Sequence, residues 1–195
     1  MKAATSRKQG LVSVWAFTAS GAIASAAVGA LLGAFGALAL PAHRSYVIVL
    51  PSLAVAVTAL AREAGVISIP LPQLKRQTSG MWAKRYGSHV AAILWGADIG
   101  LVYTTWLNFS GIWILTVLTF LTARPALGVA LFLAYWFGRV LSVWLAPWLM
   151  STPLETSALM VTLRQQRHTL RVIHSVAILW LIAILVAVVF AGGAF

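Results

Sequence analysis

A helix rising 1.5 Å per residue needs about 20 apolar residues to cross some 30 Å of hydrocarbon. This chain carries apolar runs of that order at 11–40, 89–123, 126–150 and 173–191, with a shorter one at 46–61. Few folds accept so many in 195 residues. Soluble domains carry about 25% charged residues, whereas here 61% of residues are hydrophobic and 9% charged. So little polar surface cannot cover a water-exposed core, and a bilayer removes that requirement. The pattern predicts an all-α, polytopic helical membrane protein. Residues 1–195 would form a single transmembrane domain with five or six transmembrane segments, one or two of them broken or kinked.

The first run, 11–40, would reach about 45 Å as a straight helix, more than one crossing needs. It is therefore expected to tilt, kink or protrude. Ala37-Leu38-Ala39 has the small-x-small form of a signal cleavage site, but the run is much longer than a signal core of about 7–15 residues, so an uncleaved first span is expected. Gly21, Ser25, Gly29, Gly33 and Ala37 recur every four residues along it. Such a stripe lets another helix approach closely, either as fixed packing or as a sliding contact, because no side chain holds the backbones apart. The second span, 46–61, contains Pro51, and Arg44 and Arg62 can snorkel at its ends. Residues 62–88 read as a basic, proline-bent connection carrying Pro70, Pro72, Lys75, Arg76, Lys84 and Arg85, with Met81 and Trp82 suited to a short helix at the headgroups.

The run 89–123 is too long for one straight span, and Asn108, Ser110 and Gly111 interrupt it. It reads either as one broken element or as two short spans. Arg124-Pro125 ends it, the span 126–150 follows, and the basic loop 151–172 precedes the last span, 173–191. Lys and Arg collect in cytoplasmic loops. A single crossing of 89–123 puts the basic clusters 2–8, 62–85 and 164–171 on one side and leaves Arg44 and Arg124 on the other. Two crossings move 164–171 to the opposite side, so the five-span arrangement is the cleaner one, although His89–Leu107 alone is long enough to cross.

The net charge is +11, from 14 Lys and Arg against three acids, Glu63, Asp98 and Glu155. Topology and contact with anionic headgroups account for this balance, and no nucleic-acid partner is expected. Lys75, Arg76, Lys84, Arg85, Arg164, Arg167 and Arg171 form the basic patches for lipid or a partner. The chain has no cysteine, which excludes disulfides, thiolate metal sites and dithiol redox chemistry. His43, His89, His168 and His174 are scattered without metal-ligand spacing. No nucleophile elbow, phosphate loop or zincin motif is present. No cofactor and no catalytic residue is expected. Among the nine tryptophans, Trp82, Trp144, Trp148 and Trp15 suit the interfacial belt, and deeper ones such as Trp136 suit helix packing.

Asp98 is the sharpest feature. A carboxylate in the middle of an apolar run is costly in hydrocarbon, so it faces protein or water and seeks a partner. Arg139 lies near the middle of the next span, and the two are expected to pair, as a structural ion pair or as a proton or ion site. Thr104, Thr105 and Asn108 complete a candidate midplane polar site, because a helix broken there can expose carbonyls to a cavity.

Gly96 and Gly100, Thr104 and Thr105, and the later Ala134-Tyr135-Trp136-Phe137-Gly138-Arg139 give residues 89–143 a pattern that resembles the transmembrane domain of cytochrome c biogenesis proteins of the DsbD type. That family belongs to a wider set of small exporters with glycine-broken spans. The resemblance implies a shared helical scaffold. The family moves electrons on a pair of intramembrane cysteines; with no cysteine here, the resemblance does not extend to that activity. The first half of this chain also holds two spans where the family repeat has three.

Two functions from different classes follow. The first is a small transporter or permease component using Asp98, Arg139, Thr104, Thr105 and Asn108. The second is a structural or assembly subunit that docks on partner subunits or on its own copies through the stripe of Gly21, Ser25, Gly29 and Gly33. An intramembrane enzyme acting on lipid is a distant third. The expected location is the plasma (inner) membrane of a prokaryote, with a cytoplasmic N-terminus.

Overall fold

The computed structural model describes residues 2–40, 45–70, 74, 76–105, 110–149 and 167–192. Among them the chain is all-helical, with six helices and no strand: α1 (Lys2–Ala39), α2 (Ser45–Glu63), α3 (Met81–Gly100), α4 (Gly111–Thr122), α5 (Pro125–Leu149) and α6 (Arg167–Gly192). Three helices are long and apolar enough to cross a membrane, through Gly10–Ala39 in α1, Pro125–Leu145 in α5 and His168–Ala187 in α6. At 12 residues, α4 is too short to do so alone.

The axis of the molecule is α1, which packs against α3, α4 and α5. Its small residues set the register. Gly29 meets Gly128 of α5 backbone to backbone, so closely that a Cβ on either glycine would collide with the other's carbonyl oxygen. Gly21 lies under the ring of Trp136, and Gly33 lies on Arg124 and Pro125, so α5 runs antiparallel to α1. Ser25, fully buried, donates to the Gly100 carbonyl of α3 at 2.9 Å. Gly21, Ser25, Gly29 and Gly33 are thus consumed inside the chain. The stripe is a close helix contact within this chain, not a face left open on the bundle. The physical reason is that the facing helices supply matching small residues, Gly100 and Gly128, so the closest approach is intramolecular.

A second register sets the direction of α3 and α4. Gly96 abuts Phe17 and Ser20, Gly100 abuts Gly21 and Ala24, and Gly36 abuts Phe120 and Ala123. Between them Val102, Ile112 and Phe132 form a buried cluster packed by Val28 and Leu32. Positions along α1 and along 96–123 rise together. The run 89–123 is therefore one interrupted element parallel to α1, with no reversal between α3 and α4. Its helical part begins earlier than the apolar run, at Met81. Gly87, at φ 78° and ψ 170°, sets the first turns of α3 apart as a separate piece.

On the other flank α2 packs against α4 and α6. Ala56, Ala59, Ile114 and Ile178 share a buried cluster. Glu63 meets Ser110, so α2 runs antiparallel to α4. The end of α2 is set by Gly65. Its φ of 79° lets the Val66 N–H reach the Ala61 carbonyl at 2.9 Å and its own N–H reach that of Arg62 at 3.0 Å, satisfying carbonyls the helix leaves open. As a result α2 stops at the height of the break in 89–123. Beyond it, residues 67–70, 74 and 76–79 are non-helical.

The aromatic residues of α5 close the bundle near the start of α1. Trp136 is fully buried and donates its Nε1–H to the Thr18 carbonyl at 2.9 Å, while Trp144 donates to the Thr18 hydroxyl at 3.0 Å. Trp15 packs edge-on against Trp144 with centroids 4.7 Å apart.

Candidate functional site around the helix break

The break spans 101–110, of which 101–105 and Ser110 are described. It opens with a three-residue turn in which the Tyr103 N–H reaches the Leu101 carbonyl at 2.7 Å around Val102. Val102 has φ 66°, a strained value for a β-branched residue. Full burial of its side chain against Ile112 and Phe132 holds it there. Tyr103 closes the turn from the other side, with its hydroxyl 2.5 Å from that of Thr116 and its ring 5.5 Å from Trp113.

Two buried carboxylates hold the break, and each makes an ion pair. Asp98 sits in the last turn of α3 and is 7% exposed. Gly96 and Gly100 face α1, and a helix turns about 100° per residue. Asp98, midway between them, therefore points away from α1. On that side lies the non-helical stretch before α3, tied down where the Trp95 Nε1–H meets the Ser79 carbonyl at 2.9 Å. From this stretch Arg76 reaches the Asp98 carboxylate with one guanidinium nitrogen and the Thr104 carbonyl with Nε, the latter at 3.3 Å. The Thr104 hydroxyl donates to the Asp98 carbonyl at 2.5 Å.

The partner of Asp98 is thus Arg76, not Arg139 as the sequence suggested. The reason is geometric: α1 lies between α3 and α5, and Asp98 is turned away from it. Arg139 instead donates to the Tyr135 hydroxyl at 3.1 Å, one turn back in α5. Of the candidate site, Asp98 and Thr104 come together, Thr105 is buried in the same turn, and Arg139 belongs elsewhere. Asn108 lies outside the described residues, as do Lys75 and Arg164. Lys84, Arg85 and Arg171 are exposed, and Arg167 opens α6. Two oxygens of the site, Asp98 Oδ2 and Thr105 Oγ1, are buried with no hydrogen-bond partner among the described residues.

Glu63 is the second carboxylate, and its side chain is only 2% exposed. Its Oε1 accepts from the Ser110 N–H at 3.0 Å, the Ser110 hydroxyl at 2.7 Å and Arg62 at 2.9 Å. Ser110 caps the start of α4, where free N–H groups and the helix dipole favour an anion. Arg62 also donates to the Ile69 carbonyl at 2.9 Å, folding the following chain back over the end of α2. The His174 ring of α6 lies against Gly111 on the same turn. One acid therefore joins α2 to the first turn of α4, with α6 alongside.

An apolar cleft lined by Ile48, Thr122, Arg124 and Leu127 lies at the opposite end of α2 and α4, away from both acids. Among the described residues no three His, Cys, Asp or Glu side chains gather as a metal site. Compared with known proteins, the chain matches no family model, no curated protein and no solved structure.

In the sequence Arg76 stands out only as part of a basic patch, and Glu63 only as one of three acids. A signal for Glu63 was present: it is one of only three acids and is followed at once by Ala64-Gly65, a helix stop. Nothing comparable marks Arg76, because what brings it to Asp98 is the path of a non-helical segment.

Proposed function

We propose that the chain is an integral membrane protein that crosses a bilayer five times and acts as a small transporter, with the break between α3 and α4 as its polar site. The observation that carries this reading is the interrupted element itself. α3 and α4 follow α1 in one direction, and the interruption, beside Gly21 to Val28, falls near the middle of the apolar part of α1, Gly10–Ala39. Non-helical backbone at membrane depth is tolerated only where protein or water covers it. Large apolar side chains such as Leu31, Phe35, Trp180 and Ile184 face outward, as lipid contact requires.

One crossing for residues 81–122 also gathers the basic N-terminus, Lys84 and Arg85, and the start of α6 at one end, with Arg124 at the other. By the positive-inside rule that end is cytoplasmic, in the plasma membrane of a prokaryote. Anionic headgroups are the natural contact for Lys84, Arg85 and Arg171. Burial of the small-residue stripe within the chain favours transport over the assembly-subunit reading, which needed that face free.

The chain lacks cysteine, so single cysteines can be placed in it directly. Gly80→Cys and Arg124→Cys should react with an impermeant maleimide from opposite sides of sealed vesicles. Labelling from the same side would overturn the single crossing. Thr104→Cys should react with a water-soluble maleimide added on the N-terminal side. A break that excludes the reagent would sink transport through it and return the molecule to the class of structural subunits.

A further inference from the structure

The geometry points to the turn that follows α3 as a binding site for a small monovalent cation, an alkali ion or a protonated amine, in which the guanidinium of Arg76 is a tethered competitor. This rests on the transporter reading of the break and names the class of ligand its polar site would take.

The donor set is all oxygen. It comprises the Asp98 carboxylate and the Thr104 carbonyl, both now held by the Arg76 guanidinium, and the buried Thr105 follows in the same turn. Hard oxygen donors without imidazole or thiolate suit alkali ions and ammonium groups. Charge argues for a single positive charge: the site has one carboxylate, and among the described residues no three His, Cys, Asp or Glu side chains gather to hold a metal ion.

The field at the site is more negative than one carboxylate implies. Asp98 stands in the last turn of α3, where the helix dipole is also negative and an acid is out of place. The fold accepts an unfavourable position here, and a cation is what relieves it. Asp98 is 7% exposed and Thr105 5% exposed, and each turns a buried oxygen, Oδ2 and Oγ1, toward no hydrogen-bond partner among the described residues. Among the described residues Arg76 thus satisfies one oxygen of the carboxylate and nothing satisfies the other.

Arg76 is built differently from a structural partner. Its side chain is 54% exposed while that of Asp98 is 8% exposed. It arrives from a non-helical stretch instead of a helix face, so it can leave without any helix moving. A cation entering the turn would take the Asp98 oxygens and the Thr104 carbonyl in its place. If Arg76 occupies the site about nine-tenths of the time, removing it should raise apparent cation affinity by roughly tenfold, because the competent fraction multiplies the intrinsic affinity.

The test uses the full chain purified in mild detergent, with unfolding followed by its tryptophan fluorescence. Sodium chloride and methylammonium chloride are compared with N-methyl-D-glucamine chloride at equal ionic strength. Wild type should be stabilised by sodium or by methylammonium beyond the bulky-cation control, and which salt acts separates an alkali ion from an amine. R76Q should reach any given salt-specific stabilisation at roughly one-tenth of the concentration wild type needs. D98N and the double variant D98N/R76Q should show no difference between the salts. Should R76Q fail to fold, wild type against D98N reads the same dependence.

A folded R76Q indifferent to both small cations overturns the proposal, as does a salt-specific shift that survives in D98N. If Thr104→Cys is labelled from water but no cation acts, only this inference fails. A break closed to water removes the transporter reading as well.

Discussion

Glu63 and Asp98 are both carboxylates, both buried, and both fixed to the same break, yet the fold treats them in opposite ways. Glu63 sits at the positive end of α4, with three donors on one oxygen and its arginine next to it in sequence. Asp98 sits at the negative end of α3, with one donor group that comes from 22 residues away and is half exposed. The first arrangement uses helix polarity to hold an anion, and the second works against it. Placement at a helix start makes Glu63 a joint between α2 and α4. Placement at a helix end leaves Asp98 with one oxygen paired to Arg76 and the other without a partner among the described residues. The general lesson is that burial of an acid says little about its role until the helix end it occupies is known.

Substitutions can break or sharpen this contrast. The largest effect should come from Glu63→Ala. It leaves the Ser110 N–H and hydroxyl without their acceptor and should cost about 3 kcal/mol or more of stability, read by thermal or denaturant unfolding in detergent. Arg76→Gln ranks next at about 2–3 kcal/mol, because it strands a buried carboxylate at an unfavourable helix end. Asp98→Asn should cost only about 1 kcal/mol, since the arginine it releases is already half in solvent. Unequal costs for the two halves of one ion pair are the signature of an asymmetric site. If Asp98→Asn proved as damaging as Glu63→Ala, Asp98 would be a second structural joint and the contrast would fail.

The all-helical class was legible because apolar runs of this length leave few other ways to satisfy a backbone. So was an interruption between 89 and 123, where Asn108, Ser110 and Gly111 stand against the apolar pattern. The partner of Asp98 was not legible. Counting residues along each run gave Arg139 a similar depth, but depth ignores azimuth, and α1 separates the two. Only the packing of Gly96 and Gly100 on α1 reveals that Asp98 points the other way. The four-residue spacing of Gly21, Ser25, Gly29 and Gly33 disclosed a close helix contact but not its partner. The answering glycines, Gly100 and Gly128, lie far along the chain, and single glycines are common. Glu63 escaped notice because its role depends on Ser110, 47 residues later.

The contact between Gly29 and Gly128 also has a consequence for how the protein is made. Synthesis runs at about 5–20 residues per second, so Gly128 leaves the ribosome on the order of 5–20 s after Gly29. Through that interval the newborn first helix must wait without its eventual neighbour. A face of glycine, serine and alanine suits such a delay, because it presents neither a charge nor a bulky knob that would trap it on another nascent segment. The same small residues that lock the finished bundle would keep its first helix uncommitted until the fifth arrives.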